Sequence, residues 1–205
     1  MLGSWEVKVT TGMPEKVATA FSKLNEMVGA EYTPIAYLGS QVVNGTNHAV
    51  LAEQLLITGK DTRNIVLVIF NEKGMDVTLV DIERVVESGG ELGGIKVYED
   101  TTITAEAKKA LDKAFEGYVG MKIEPFALLG EQVTKGMNYI FAAEATPVVV
   151  DPEKTVMLIT VNALTNSVAF VDILTSKQDV MSLGYAFTWM KRQNTSVAAP
   201  LGEWP

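Results

Sequence analysis

Identities recur through this chain at one fixed offset of 91 positions, and that repetition constrains the fold more than any other feature. Val28-Gly29 matches Val119-Gly120, Pro34 matches Pro125, Leu38-Gly39 matches Leu129-Gly130, and Gln41-Val42 matches Gln132-Val133. Gly45, Asn47 and Ala52-Glu53 match Gly136, Asn138 and Ala143-Glu144, and Val80-Asp81-Ile82 matches Val171-Asp172-Ile173. No insertion or deletion interrupts the match from Val28 to Ile173, so a whole structural unit has been duplicated. The period exceeds the roughly 20–50 residues of solenoid repeats, which predicts that each copy has its own core.

The chain is 205 residues long, 47% apolar and 20% charged, a globular composition with length enough for two modest domains. Cysteine is absent, which excludes disulfides, thiolate metal sites and a cysteine nucleophile. A net charge of −8 with scattered Lys and Arg argues against a nucleic-acid partner. No apolar run approaches the length of a membrane span, so no membrane partner is expected. The beginning, MLGSWEVKV, lacks the basic start and apolar stretch of a signal peptide. That leaves a protein that stays in the cell or one whose leader has been removed, and the compartment stays open.

Both copies present the same order of elements. In the first, Met13-Pro14-Glu15 opens a helix with Val17, Ala20, Phe21, Leu24, Met27 and Val28 on one face, closed by Gly29. In the second, Thr104 caps a helix carrying Ala107, Ala110, Leu111, Ala114, Phe115 and Tyr118, ending near Gly120. Strand-like sequence follows each helix. In the first copy it covers Tyr32–Val43, Ala49–Thr58, Asn64–Phe70 and Asp76–Val86, with turns at Asn44-Gly45, Gly59-Lys60-Asp61 and Asn71–Gly74. Asn-Gly between two apolar runs is a strong hairpin signal, because both central residues of such a turn need positive φ. A short extended piece precedes each helix, Leu2-Gly3-Ser4-Trp5 in one copy and Leu92-Gly93-Gly94-Ile95 in the other. The polar, Gly-rich stretch 87–91 reads as a linker, which gives domains at 1–88 and 89–205, the second with a tail from about 176 to 205.

A glycine near the N-terminus, one helix, and then Gln-Val-Val-x-Gly with Thr-Asn behind it on a hairpin resembles the cystatin family of cysteine-protease inhibitors. The first copy carries Gln41-Val42-Val43-Asn44-Gly45-Thr46-Asn47, and the second Gln132-Val133-Thr134-Lys135-Gly136-Met137-Asn138. The resemblance implies an α+β chain of two tandem cystatin-like domains, each one helix packed on a four- to five-stranded antiparallel sheet. It implies a reversible, noncovalent inhibitor of papain-like cysteine proteases, with a wedge that fills the protease cleft. The protease-binding residues would be Leu2, Gly3, Gln41, Val42, Val43, Asn44 and Gly45. A weaker second site would comprise Gly93, Gln132, Val133, Thr134, Lys135 and Gly136, its tip made more polar by Thr134 and Lys135. The aromatic anchor that many cystatins carry on a second hairpin is missing from Asn71-Glu72-Lys73-Gly74 and from Ala163-Leu164-Thr165-Asn166. The alternative is a non-inhibitory tandem binding or scaffold protein, in which Gln-Val-Val-Asn-Gly is only a turn.

No catalytic constellation competes with these readings, and the chain is not expected to be an enzyme or to hold a cofactor or metal. His48 is the only histidine and stands where the second copy has Tyr139, which reads as a strand position. Glu53/Glu144 and Asp81/Asp172 read as residues on the solvated face of alternating strands. Beyond Leu174 the copies diverge. Ser176–Gln193 places Val180, Leu183, Phe187 and Met190 at helical spacing, which predicts a cover for the sheet or the domain junction, or a homodimer contact.

Overall fold

In a computed structural model of the chain, residues 3–24, 30–57, 61–89 and 93–174 are described. The tail from 176 and Leu2 lie outside them. Strand β1 (Trp5–Thr10) leads into helix α1 (Glu15–Leu24) and a meander of β2 (Ala30–Val43), β3 (Gly45–Ile57), β4 (Asp61–Lys73) and β5 (Asp76–Glu87). The order repeats as β6 (Ile95–Val97), α2 (Ala105–Ala114), β7 (Met121–Thr134), β8 (Gly136–Pro147), β9 (Thr155–Asn162) and β10 (Val168–Asp172). Each set forms an antiparallel five-stranded sheet, ordered β1-β2-β3-β4-β5 in one and β10-β9-β8-β7-β6 in the other.

Local chemistry explains the helices. Pro14 presets the backbone ahead of α1, Glu15 sits in its first turn and Lys23 in its last, complementing the dipole. The Thr104 hydroxyl caps α2 by accepting from the Ala107 N–H at 3.2 Å. This helix stops at Ala114, with the Phe115 N–H bonded to the Leu111 carbonyl, rather than continuing toward Gly120.

The strands correct the expected fold class. A strand with one solvated face alternates apolar and polar residues, but Ile65–Phe70 is apolar and buried at every position. Ile65, Leu67 and Ile69 enter a cluster that also holds Ala127, Leu129, Ile140, Ala142, Val156 and Leu158 of the other sheet. Val66, Val68 and Phe70 face the opposite way, against Val17, Ala20, Phe21 and Leu24 of α1. In the second sheet Phe141, Ala143, Met157 and Ile159 turn likewise to Ala107 and Leu111 of α2. The layers run helix, sheet, sheet, helix. The protein is therefore mostly β, two antiparallel sheets with only two helices among the described residues, and not an α+β chain of two tandem cystatin-like domains. Each copy keeps a cluster of its own between helix and sheet, and the inner faces of the two sheets also bury each other in a shared cluster that the repeat did not predict.

The carboxylates assigned to a solvated face are corrected in part. Glu53 is buried and paired with Arg63, while Glu144 accepts from Lys154 at 2.6 Å. Asp172 accepts from the Thr155 hydroxyl at 2.6 Å, and Asp81 is exposed. Burial raises the Glu53 carboxyl above its ordinary range, and Arg63 opposes the rise. One repeated glycine pair also has a packing reason. A Cβ on Gly39 would lie 2.2 Å from the Glu6 carbonyl oxygen, and one on Gly130 would lie 2.4 Å from that of Lys96. Only glycine lets the leading strand of each sheet approach this closely.

Candidate functional site

The residues of the sequence motif meet at one end of each sheet, where they form a cross-strand ladder of side-chain amides. Gln41, Asn47 and Asn71 stand directly opposite one another on β2, β3 and β4. Asn71 Nδ2 donates to Asn47 Oδ1 at 2.8 Å, Asn47 Nδ2 to Gln41 Oε1 at 2.8 Å, and Gln41 Nε2 to the Gly3 carbonyl at 2.7 Å. Each amide offers both a donor and an acceptor, so a single row can cross three strands and reach the segment before the first strand with every link satisfied. The row repeats in the second sheet. Asn162 Nδ2 donates to Asn138 Oδ1 at 2.8 Å, Asn138 Nδ2 to Gln132 Oε1 at 3.2 Å, and Gln132 Nε2 to the Gly93 carbonyl at 2.8 Å. Sequence reasoning missed the fourth member of each row. Asn71 and Asn162 lie on the same 91-residue offset as the rest, and that offset was the available signal. Asn71 was expected in a turn, but it lies within β4, and the turn is formed by Gly74 and Met75.

The ladder holds the hairpin tip. Strand pairing continues to Val43 opposite Gly45, leaving Asn44 exposed at the tip. Gly45 has φ +101°, and a Cβ there would lie 2.7 Å from the Glu72 carbonyl oxygen and 2.8 Å from Asn71 Oδ1. The Gly3 N–H donates to the Val42 carbonyl at 3.2 Å, so the leading segment lies beside the tip. Gly3, Gln41, Val42, Val43, Asn44 and Gly45 are thus brought together. Val42 and Val43 keep 55% and 41% of their surface exposed, and Met75 on the neighbouring β4–β5 turn keeps 91%. These apolar groups have no core to enter.

The second end uses the same frame with other side chains. Gly93, Gln132, Val133, Thr134, Lys135 and Gly136 come together, with Val133 63% exposed and Lys135 exposed. Asn162 extends its ladder by accepting at Oδ1 from the N–H groups of Leu164 (3.0 Å) and Thr165 (2.9 Å), which fixes the β9–β10 turn. Leu164, 62% exposed, stands against the tip, and a Cβ on Gly136 would meet its Cβ at 2.7 Å. Lys73 holds the corresponding place in the first sheet, 3.2 Å from a Cβ on Gly45.

On the opposite face of the first sheet, close to the same end, lies a buried polar chain. His48 Nε2 donates to Glu72 Oε2 at 3.1 Å, and its Nδ1 stands 3.2 Å from the Tyr37 hydroxyl. Burial raises the Tyr37 phenol above its ordinary value, opposed by a hydrogen bond from Ser40 and reinforced by Glu6. Tyr37, Ser40, His48 and Glu72 line a cavity of about 460 Å³ that reaches the first turn of α1. The second sheet has Tyr139 in place of His48, its phenol raised by burial and then by Glu106, and Tyr98, raised by burial and by a hydrogen bond to Glu131. Among the described residues, no group of three His, Asp or Glu side chains is placed to hold a metal ion, and no helix is long and apolar enough to cross a membrane.

No protein-family model matches this chain, and no curated protein matches it.

Proposed function

We propose that the chain is a protein-binding module whose first sheet end docks in the cleft of a papain-like cysteine protease and inhibits it reversibly, without covalent chemistry. The observation that carries this reading is the pairing of Gly3 with Val42 beside an exposed Val42-Val43 tip. The tip has few internal degrees of freedom left to lose, because the Gln41–Asn47–Asn71 row and the strand pairing already order it. Val42 and Val43 have only about half of their surface left to bury, so docking each contributes about 1 kcal/mol. A rigid edge with two such side chains can therefore bind tightly through an interface of ordinary size, about 1,200–2,000 Å².

A second reading has an observation of its own. The amide row gives Gln41, Gly45 and Asn47 a purely internal purpose, which favours a scaffold or binding protein without a protease target. An inhibition assay against papain separates the two. The intact chain is expected to inhibit, and Val43→Asp is expected to abolish inhibition while the protein stays folded, because the carboxylate would be desolvated in an apolar cleft. No inhibition by the folded wild-type chain selects the scaffold reading. Unchanged inhibition by folded Val43→Asp moves the edge elsewhere.

A further inference from the structure

We propose that the cavity between the first sheet and α1 binds a small aromatic molecule carrying a hydroxyl group, a phenol, in the place that a tyrosine side chain fills in the second copy. The site lies on the outer face of the sheet and does not depend on what docks at the hairpin tips.

The two copies together locate the gap. Glu15 and Glu106 are equivalent on the 91-residue offset, and each sits in the first turn of its helix. His48 and Tyr139 are equivalent in the same way on β3 and β8, where they stand opposite Ser40 and Glu131. In the second copy Tyr139 is buried and its phenol hydrogen-bonds Glu106, so one side chain spans from sheet to helix. In the first copy the imidazole of His48 is shorter than a phenol, and both of its nitrogens are engaged within the sheet, by Tyr37 and Glu72. It leaves Glu15 to the cavity that both residues line. Tyr37 and Glu72 replace the smaller Leu128 and Ala163, but their bulk serves to hold the His48 ring, and the cavity persists beside it.

A second ring is missing from the same place. Tyr98, packed against the cluster under α2, is answered in the first copy by Lys8, because Glu6 pairs with Ser40 as Lys96 pairs with Glu131. Two aromatic rings of the second copy thus have no counterpart in the first, where the cavity measures about 460 Å³. That lies within the roughly 300–1,000 Å³ of small-molecule sites.

The lining sets the chemistry of the ligand. The rings of Tyr37 and His48, with centroids 6.0 Å apart, give the cavity an aromatic wall, and Pro14 and Val17 add aliphatic surface, which suits a flat ring. The carboxylates of Glu6, Glu15 and Glu72 outnumber the ammonium groups of Lys8 and Lys16, which disfavours an anion. Glu72 already accepts from His48. Glu15 holds the position at which Glu106 receives the Tyr139 phenol, so it is the acceptor for the ligand's hydroxyl.

The test uses p-cresol, the free form of the tyrosine side chain, titrated into the full chain and followed by amide NMR. It is expected to saturate one site, with shifts gathered at Lys8, the first turn of α1, Tyr37 and His48. Toluene, which lacks only the hydroxyl, is expected to bind at least about tenfold more weakly, because a hydrogen bond to a charged group is lost. His48→Tyr supplies the phenol from the chain itself and is expected to abolish p-cresol binding, with thermal unfolding reporting that the variant folds. Glu15→Ala, at an exposed helix position, is the second variant and is expected to bring p-cresol down to the affinity of toluene. Non-saturating shifts scattered over the surface, equal binding of toluene and p-cresol, or undiminished p-cresol binding by either folded variant overturns the assignment. Each of these results leaves the inhibitor reading intact.

Discussion

The two sheet ends share an internal frame and differ in almost everything they show to solvent. Gln41/Gln132, Gly45/Gly136, Asn47/Asn138 and Asn71/Asn162 are identical, and all of them serve the amide row or the tight turn. Val43 against Thr134, Asn44 against Lys135, Lys73 against Leu164 and Met75 against Asn166 all differ, and these are the residues at the tips and turns. Most identities at the two ends therefore serve the internal frame, Val42/Val133 being the exposed exception, and the differences fall on the tips and turns. The same contrast holds on the outer faces, where Tyr37–His48–Glu72 in one sheet is answered by separate tyrosine–glutamate contacts in the other.

The largest expected effect breaks the comparison altogether, by treating the halves as separable. Leu67→Ala in one sheet and Leu158→Ala in the other remove side chains from the same cluster, and each should cost about 2–5 kcal/mol. Amide hydrogen exchange is expected to accelerate in both sheets for either variant, since the core is common. Acceleration confined to the mutated sheet would mean two independent cores. By the same reasoning, residues 1–88 expressed alone would expose the inner face of β2–β4 and should associate or fail to fold, as judged by size exclusion and circular dichroism.

A smaller effect separates the two turns. Gly45→Ala forces a side chain into positive φ against the backbone carbonyl of Glu72, and should cost about 2–3 kcal/mol by chemical denaturation. Gly136→Ala carries the same strain at φ +104° but meets one atom closer than 3 Å, the Leu164 Cβ, against two at Gly45, and should cost about 1–2 kcal/mol. Equal costs would show that backbone strain alone decides, with no contribution from the neighbouring atoms.

The smallest effect concerns the polar chains. His48→Phe removes two hydrogen bonds and leaves the buried Tyr37 hydroxyl without its ring partner, at a cost of about 1–2 kcal/mol, because water can reach the Glu72 carboxylate. Tyr139→Phe gives up a single contact with the exposed Glu106 and should cost less than about 1 kcal/mol. A reversed order, measured by thermal unfolding, would assign the larger structural contribution to the second sheet.

Much of the architecture was legible without coordinates. The 91-residue offset announced two equivalent units, and Pro14 and Thr104 marked the starts of the helices through capping chemistry that acts over one turn. Asn44-Gly45 located the tip for an equally local reason, although only Gly45 takes the positive φ that both residues were expected to need. Gln41 to Gly45 and Gln132 to Gly136 are adjacent in sequence and their meeting could be anticipated from the hairpin, whereas Gly3 and Gly93 are brought to Gln41 and Gln132 from 38 and 39 residues away. Asn71 and Asn162 could not be read as their partners from local chemistry, because a third strand brings them there.

What covers the second face of each sheet was decided only in three dimensions. The alternation of a strand states that one face is buried, whereas Ile65–Phe70, apolar at every position, states that both are and names no neighbour. Hydrophobic burial is non-directional and favours whatever apolar surface lies within reach, so the inner sheet faces found each other and formed a shared core beside the two helix-side clusters. The separation of the two hairpin tips has the same origin. Sequence sets the length of β5 and the turn after it, but only the packing of one sheet on the other determines which way the second tip points.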